Sequence, residues 1–132
     1  YSVALKIARE LVKVESQKLT KLREELRAEL EKLPSEIIFH GHSTKRLPNH
    51  LSFAVVGFDN ERLMMELDEL GFMVATGSAC SAASIEASHV LTAMGISSDI
   101  ARSTLRVTLG RETVPADIKA FVKALASCLK RN

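Results

Sequence analysis

Leu19, Leu22, Leu26, Leu30 and Leu33 recur at spacings of three and four, and Ile7 and Leu11 extend the stripe toward the N-terminus. That period predicts one long amphipathic helix from about Val3 to Leu33. No Gly or Pro interrupts it, Lys, Arg and Glu fill its other faces, and Pro34 stops it. Such a helix can pack on its own domain or pair in a dimeric coiled coil. The lapse of the stripe at Lys18 and the lack of an e/g charge code favour the first.

Beyond Pro34 the period shortens. Ile37, Ile38 and Phe39 read as a short strand, followed by a polar turn through Gly41-His42-Ser43-Thr44-Lys45-Arg46. Leu51 to Val56 reads as a second strand closed by Gly57. Asp59 or Asn60 is placed to cap a helix over about Glu61 to Leu70, with Leu63, Met64, Leu67 and Leu70 apolar and Gly71 as its stop. Phe72 to Ala75 is a short extended segment. A helix over about Ile85 to Met94 is expected next, capped by Ser84 and ended by Gly95, then one short turn through Ala101 capped by Ser97 or Ser98. Thr104 to Leu109 alternates, with Leu105, Val107 and Leu109 on one face and Thr104, Arg106 and Thr108 on the other. A final helix is capped by Thr113, carries Pro115 in its first turn, and buries Ile118, Phe121, Val122, Leu125 and Leu129. The order predicts an α+β fold, a small sheet of about three strands flanked by helices and preceded by a long N-terminal helix.

A chain of 132 residues, 46% hydrophobic and 26% charged, is one ordinary globular domain with a modest core. Its net charge of +2, without a concentrated basic face, makes no case for nucleic acid or an anionic membrane, and no Trp and one Tyr make none for base stacking. No apolar run approaches the roughly 20 residues of a membrane span, and the charged, amphipathic first turn is no signal peptide. Two cysteines, Cys80 and Cys128, make no disulfide framework and fit a reducing compartment, so a cytoplasmic location is expected. Tyr1 runs straight into a helical pattern without a starting Met, so a fragment of a longer protein is expected.

The small-residue segment Gly77-Ser78-Ala79-Cys80-Ser81-Ala82-Ala83-Ser84 carries the most informative candidate chemistry. A thiol with no apolar neighbours to bury it suits a nucleophile that must reach a substrate and then a partner; a small inert thiol in a tight turn is the plainer alternative. No His or Lys within six residues identifies an activating base. Cys128, between Leu125 and Leu129, reads as a core or boundary residue. Arg106 lies mid-strand on a polar face, where it is either a solvated charge or a rigid planar fork for a carboxylate. Arg111 reads as a turn residue. His40 and His42 have the i, i+2 spacing of one strand face, with His50 as a third metal-ligand candidate, but no Cys or carboxylate completes a known spacing. Neither a phosphate-binding Gly loop nor a Ser nucleophile elbow is present.

Several patterns then fall in one order: Arg46-Leu47-Pro48-Asn49-His50-Leu51-Ser52-Phe53, Glu61 to Asp68, Gly77-Ser78-Ala79-Cys80, Glu86 to Gly95, and Ser103-Thr104-Leu105-Arg106-Val107-Thr108-Leu109-Gly110-Arg111. Over nearly its whole length the chain resembles the C-terminal part of cysteine desulfurases. These are pyridoxal phosphate (PLP) enzymes of the class V aminotransferase family on the type I fold. The small-residue loop resembles their group I. The resemblance implies that Cys80 is the nucleophile that attacks the sulfur of a PLP-held L-cysteine, leaving a persulfide and releasing L-alanine. It implies that Arg106 binds the substrate α-carboxylate. The persulfide sulfur would pass to an acceptor: an iron–sulfur scaffold, a tRNA thiolation protein or another carrier.

The resemblance also implies a domain plan. Residues 1–132 would be the single small C-terminal domain of a larger enzyme, with a bridging helix over 1–33 and an α+β core over 34–132 that carries the Cys80 loop at 77–84. The family's Schiff-base lysine, the acid at the pyridine nitrogen, the histidine over the ring and most phosphate contacts have no counterpart here. Lys45, in His42-Ser43-Thr44-Lys45, has the wrong order for the family's Ser-x-His-Lys. His89 stands where many members carry an aromatic residue. The isolated chain is therefore expected neither to bind PLP nor to release sulfide. Apolar faces left without the larger domain should favour self-association, and the whole enzyme is expected to be a homodimer. A stand-alone persulfide carrier or scaffold-docking module, using Cys80 without PLP, is the alternative.

Overall fold

The computed structural model describes residues 2–77 and 88–131. In chain order the elements are α1 (Ser2–Leu30), β1 (Ile37–Phe39), β2 (His50–Val55), α2 (Asn60–Glu69), α3 (His89–Ala93), α4 (Ser98–Ala101), β3 (Thr104–Thr108) and α5 (Pro115–Leu129). The strands form one antiparallel sheet in the order β1-β2-β3. The register sets Ile37 opposite Val55, Phe39 opposite Phe53, Phe53 opposite Leu105, and Ser52 opposite Arg106. With side chains alternating along each strand, that register gathers the apolar residues on one face and the polar ones on the other.

The apolar face makes the core. Leu51, Phe53, Val55, Leu105 and Val107 pack with Leu19, Leu22, Leu26 and Leu30 of α1, Leu63 and Leu67 of α2, and Ile118, Phe121, Val122 and Leu125 of α5. The leucine stripe of α1 is thus buried from Leu19 onward. Upstream the expectation fails. Ile7 is 47% exposed, and Val3, Leu5, Val12 and Val14 are exposed beside it, so the first half of α1 stands clear of the described core. The stripe continues there in sequence without a described surface to receive it.

Local chemistry moves two boundaries, the end of α1 and the cap of α5, and sets the ends of α2 where they were expected. The α1 helix ends at Leu30, because Lys32 and Leu33 donate to the carbonyls three residues back, tightening the chain ahead of Pro34. The α2 helix is capped by Asp59, whose carboxylate accepts from the Arg62 N–H at 2.8 Å. It closes in a Schellman turn: Phe72 N–H donates to Leu67 O, Gly71 N–H to Asp68 O, and Gly71 sits at φ 86°. The α5 N-cap is Val114, not Thr113. The Thr113 hydroxyl instead accepts from Gly110 N–H at 3.0 Å, and Asp117 accepts from Val114 N–H at 2.9 Å. Leu129 is only partly buried on α5, and Cys128 takes the fully buried place beside Leu125.

The helix expected over Ile85–Met94 also differs. Ser88 is non-helical at ψ 119° and occupies the N-cap of the five-residue α3; the expected Ser84 cap lies outside the described residues. Ser97 caps α4, accepting from Ile100 N–H. The segment from Phe72 reaches the sheet only at Ala75, which bridges Arg106 antiparallel. Among the described residues no helix is long and apolar enough to cross a membrane.

Candidate functional site

A cleft of about 290 Å³ opens on the polar face of the sheet. Its floor is His50 and Ser52 from β2 with Thr104 and Arg106 from β3; its walls are the 40–46 turn, Thr76 and Gly77, and α3. Arg106 sits at the middle of that floor. Its N–H and C=O both bond Ala75, at 2.7 and 3.1 Å, so the backbone is held from the side away from β2. Ser52 lies directly opposite and leaves the guanidinium uncrowded. No hydrogen bond or ion pair joins the Arg106 side chain to another described residue, and it is exposed to the cleft. A planar fork on a rigid strand, with no acceptor among the described residues, has the geometry to pair with a carboxylate.

The cleft's charge points the same way. Lys45, Arg46 and Arg106 line it with four histidines, and no Asp or Glu is among its described lining residues. Arg46 links the cleft to two further guanidiniums, those of Arg23 and Arg27 on α1. Arg46 is held below the ordinary arginine value by burial and by the nearby charges of Arg23 and Arg27, with Glu24 opposing. Arg23 is tied to Glu24 and donates to Leu47 O at 2.7 Å, while Arg27 lies 4.7 Å over the Phe39 ring.

His40 is 4% exposed and structural. The Thr104 hydroxyl spends its proton on Ile100 O at 2.8 Å, so it must accept from His40 Nε2 at 3.0 Å. That fixes the neutral tautomer and leaves Nδ1 buried without a partner among the described residues. Thr104, expected on the solvent side of β3, is buried for the same reason. Burial lowers the His40 pKa, and burial followed by the charges of Arg106 and Arg46 lowers that of His50. Both imidazoles therefore bind protons more readily in the unfolded chain. Native stability is full above about pH 6.5 and falls as pH drops below it toward the lowered native values. Urea unfolding should show a lower midpoint at pH 5.5 than at pH 7.5; equal midpoints would contradict this.

The structure does not bring the histidines together as a metal site. Strand β1 ends at Phe39, and Gly41 at φ 89° turns the chain, so His40 points into the fold while His42 stays in the turn. There His42 Nδ1 accepts from the N–H groups of Thr44 and Lys45 at 3.1 and 3.0 Å. No group of three or more potential ligands among the described residues can hold a metal. Lys45 and His89 are exposed at the cleft mouth. Arg111 lies in the turn after β3, paired with Glu15 of α1.

Cys80 lies outside the described residues. Its chain position is three residues past Gly77, which lines the cleft. Cys128 is fully buried, and burial and then Glu66 raise its thiol pKa. It should resist iodoacetamide in the folded chain and react only on unfolding; rapid native labelling would contradict its placement. The sequence singled out Arg106 from strand alternation, but missed His50 and Arg46 as cleft residues. The alternation of β2 put His50 opposite the apolar face, yet only the β2–β3 register sets it beside Arg106.

The family model for aminotransferase class-V matches residues 3–121. The chain is 34% identical over 131 residues to the cysteine desulfurase IscS of Clostridium botulinum (strain Hall), covering 98% of this chain and 33% of that protein. It is 38% identical over 128 residues to the cysteine desulfurase IscS of Methylococcus capsulatus, covering 97% and 31%. Among solved structures it matches a NifS-like protein from Rickettsia africae at TM-score 0.78 and 26% identity, covering 92% of this chain and 31% of that one. A second NifS-like protein matches at TM-score 0.83 and 25% identity, covering 98% and 32%. The chain spans about a third of the length of the relatives it matches.

Proposed function

The chain belongs to the class V aminotransferase family, and from that premise we propose that it is the C-terminal part of a cysteine desulfurase. In the whole protein Arg106 holds the α-carboxylate of L-cysteine, and the Cys80 thiolate bonds to the substrate sulfur as the carbon–sulfur bond breaks. The products are a Cys80 persulfide and L-alanine. The observation that carries this reading is Arg106 itself: a strand-held guanidinium without an acceptor among the described residues, in a cationic cleft, bonded through its backbone to Ala75 five residues before Cys80.

The family depends on PLP, which supplies the electron sink for bond breaking at an amino acid. The described residues do not make a PLP site by themselves. Such a site pairs a Schiff-base lysine with a charged partner for the pyridinium nitrogen. Here the cleft's one lysine, Lys45, is exposed on a turn, and no carboxylate lines the described cleft. The share assigned to this chain is substrate binding and sulfur acceptance, in a cytoplasmic homodimer that passes sulfur to an acceptor such as an iron–sulfur scaffold. The exposed first half of α1 supplies apolar surface for the rest of the protein or a second copy.

The test is the whole protein with PLP and L-cysteine. L-Alanine should form in step with sulfur transferred to an acceptor thiol, and the 132-residue chain alone should form none. No L-alanine from the whole protein would overturn the proposal. Sulfur carried by the chain alone, received from another protein's persulfide, would favour a stand-alone carrier.

A further inference from the structure

His50 is the polar cleft residue that the proposed chemistry leaves unused. It lies on β2 opposite Thr108, with Ser52 opposite Arg106, so His50 is the diagonal neighbour of Arg106 on the same face. Diagonal partners across antiparallel strands lie about 7–8 Å apart, within reach of a long side chain and a ring. Ser52 and Ala54, the other β2 residues on that face, are small and leave the space beside Arg106 open. The His50 ring is half-buried, makes no hydrogen bond to a described residue, and lines the cleft with Arg106. An imidazole with an N–H, beside a guanidinium that spends no donor on a described residue, has the makings of a two-sided grip on one carboxylate.

Resting on the proposed role of Arg106, the geometry points to His50 as a second contact for the carboxylate that Arg106 binds, a contact that tightens when His50 takes up a proton. The titratable and charged groups that line the cleft with His50 are Arg106 from β3, Lys45, Arg46, His40 and His42 from the 40–46 turn, and His89 from α3, with no carboxylate among the described lining residues. These surroundings oppose a positive imidazole: burial, then the charges of Arg106 and Arg46, lowers the His50 pKa. An incoming carboxylate offsets the Arg106 charge and adds an acceptor. Protonation and anion binding then favour each other, each by the same factor. A neutral His50 donates one hydrogen bond to the anion; a protonated one donates a charge-assisted bond.

Trifluoroacetate is a suitable probe because it stays ionised across the range and reports by fluorine NMR. Titrated into the 132-residue chain, it should bind roughly three- to fivefold more tightly at pH 5.0 than at pH 7.5, the factor expected if the anion raises the His50 midpoint by well under one unit. Saturating probe should move the His50 ring-proton titration upward. His50→Gln should bind with an affinity nearly flat with pH. An unchanged pH slope in H50Q, or a His50 midpoint that ignores the probe, overturns the inference. Arg106→Ala separates the two levels. Binding lost in R106A, together with an unchanged slope in H50Q, removes the His50 role alone. Binding that survives R106A overturns the Arg106 assignment and the inference with it.

Discussion

Cys80→Ala in the whole protein should cut L-alanine formation from L-cysteine by a factor on the order of a thousand or more, the scale seen when a covalent nucleophile is removed. The second thiol offers no rescue. Cys128 is enclosed beside Leu125 on α5, and burial and then Glu66 keep it protonated. The thiolate is the nucleophilic form, so a thiol raised in pKa and closed off from solvent does not take part. The substitution exchanges a small residue for a small one within a run of Gly, Ala and Ser, so the folded state and its melting temperature should be unchanged. Activity within a few-fold of the wild type would remove Cys80 from the reaction.

Arg106→Ala should lower kcat/KM for L-cysteine about 100- to 1000-fold, with the larger part in KM. Each hydrogen bond to a charged group is worth about 1.5–3 kcal/mol, and a bidentate carboxylate contact contains two. A loss of about 3–4 kcal/mol corresponds to that range, at 1.36 kcal/mol per factor of ten. Arg106→Lys keeps the charge and loses the fork, so it should fall between the wild type and R106A. The effect on stability should stay within about 0.5 kcal/mol, because the side chain is exposed and makes no bond to a described residue. An alanine variant with unchanged KM, or a loss traceable to unfolding, would contradict the assignment.

Arg106 was legible in the sequence because β3 alternates without a break, which separates its side chain from Leu105 and Val107 by local geometry alone. The leucines from Leu19 to Leu30 were legible for the same reason at the helical period. The upstream stripe misled because periodicity says which residues share a face and not whether a surface meets that face; Ile7 is 47% exposed. His40 and His42 offered a metal site in the sequence only through an i, i+2 spacing, which no Cys or carboxylate completed. Their spacing fits a strand, but Gly41 turns the backbone between them and Thr104 captures one ring. The cap of α5 went to Val114 because a hydroxyl at Thr113 had a nearer donor, Gly110 N–H, in the preceding turn. The cleft was not legible, because it depends on pairings between residues more than 50 positions apart, such as Ser52 with Arg106. Cys80 was singled out by composition and motif order, and its role rests on those together with its nearness in sequence to Gly77.

The most direct test is to locate the sulfur. Whole protein with PLP is given L-cysteine, its thiols are trapped, and its peptides are read by mass spectrometry. The account predicts one added sulfur atom on Cys80, none on Cys128, and one L-alanine released for each persulfide formed. L-Alanine released with no sulfur on Cys80, or sulfur found on Cys128 instead, would contradict it.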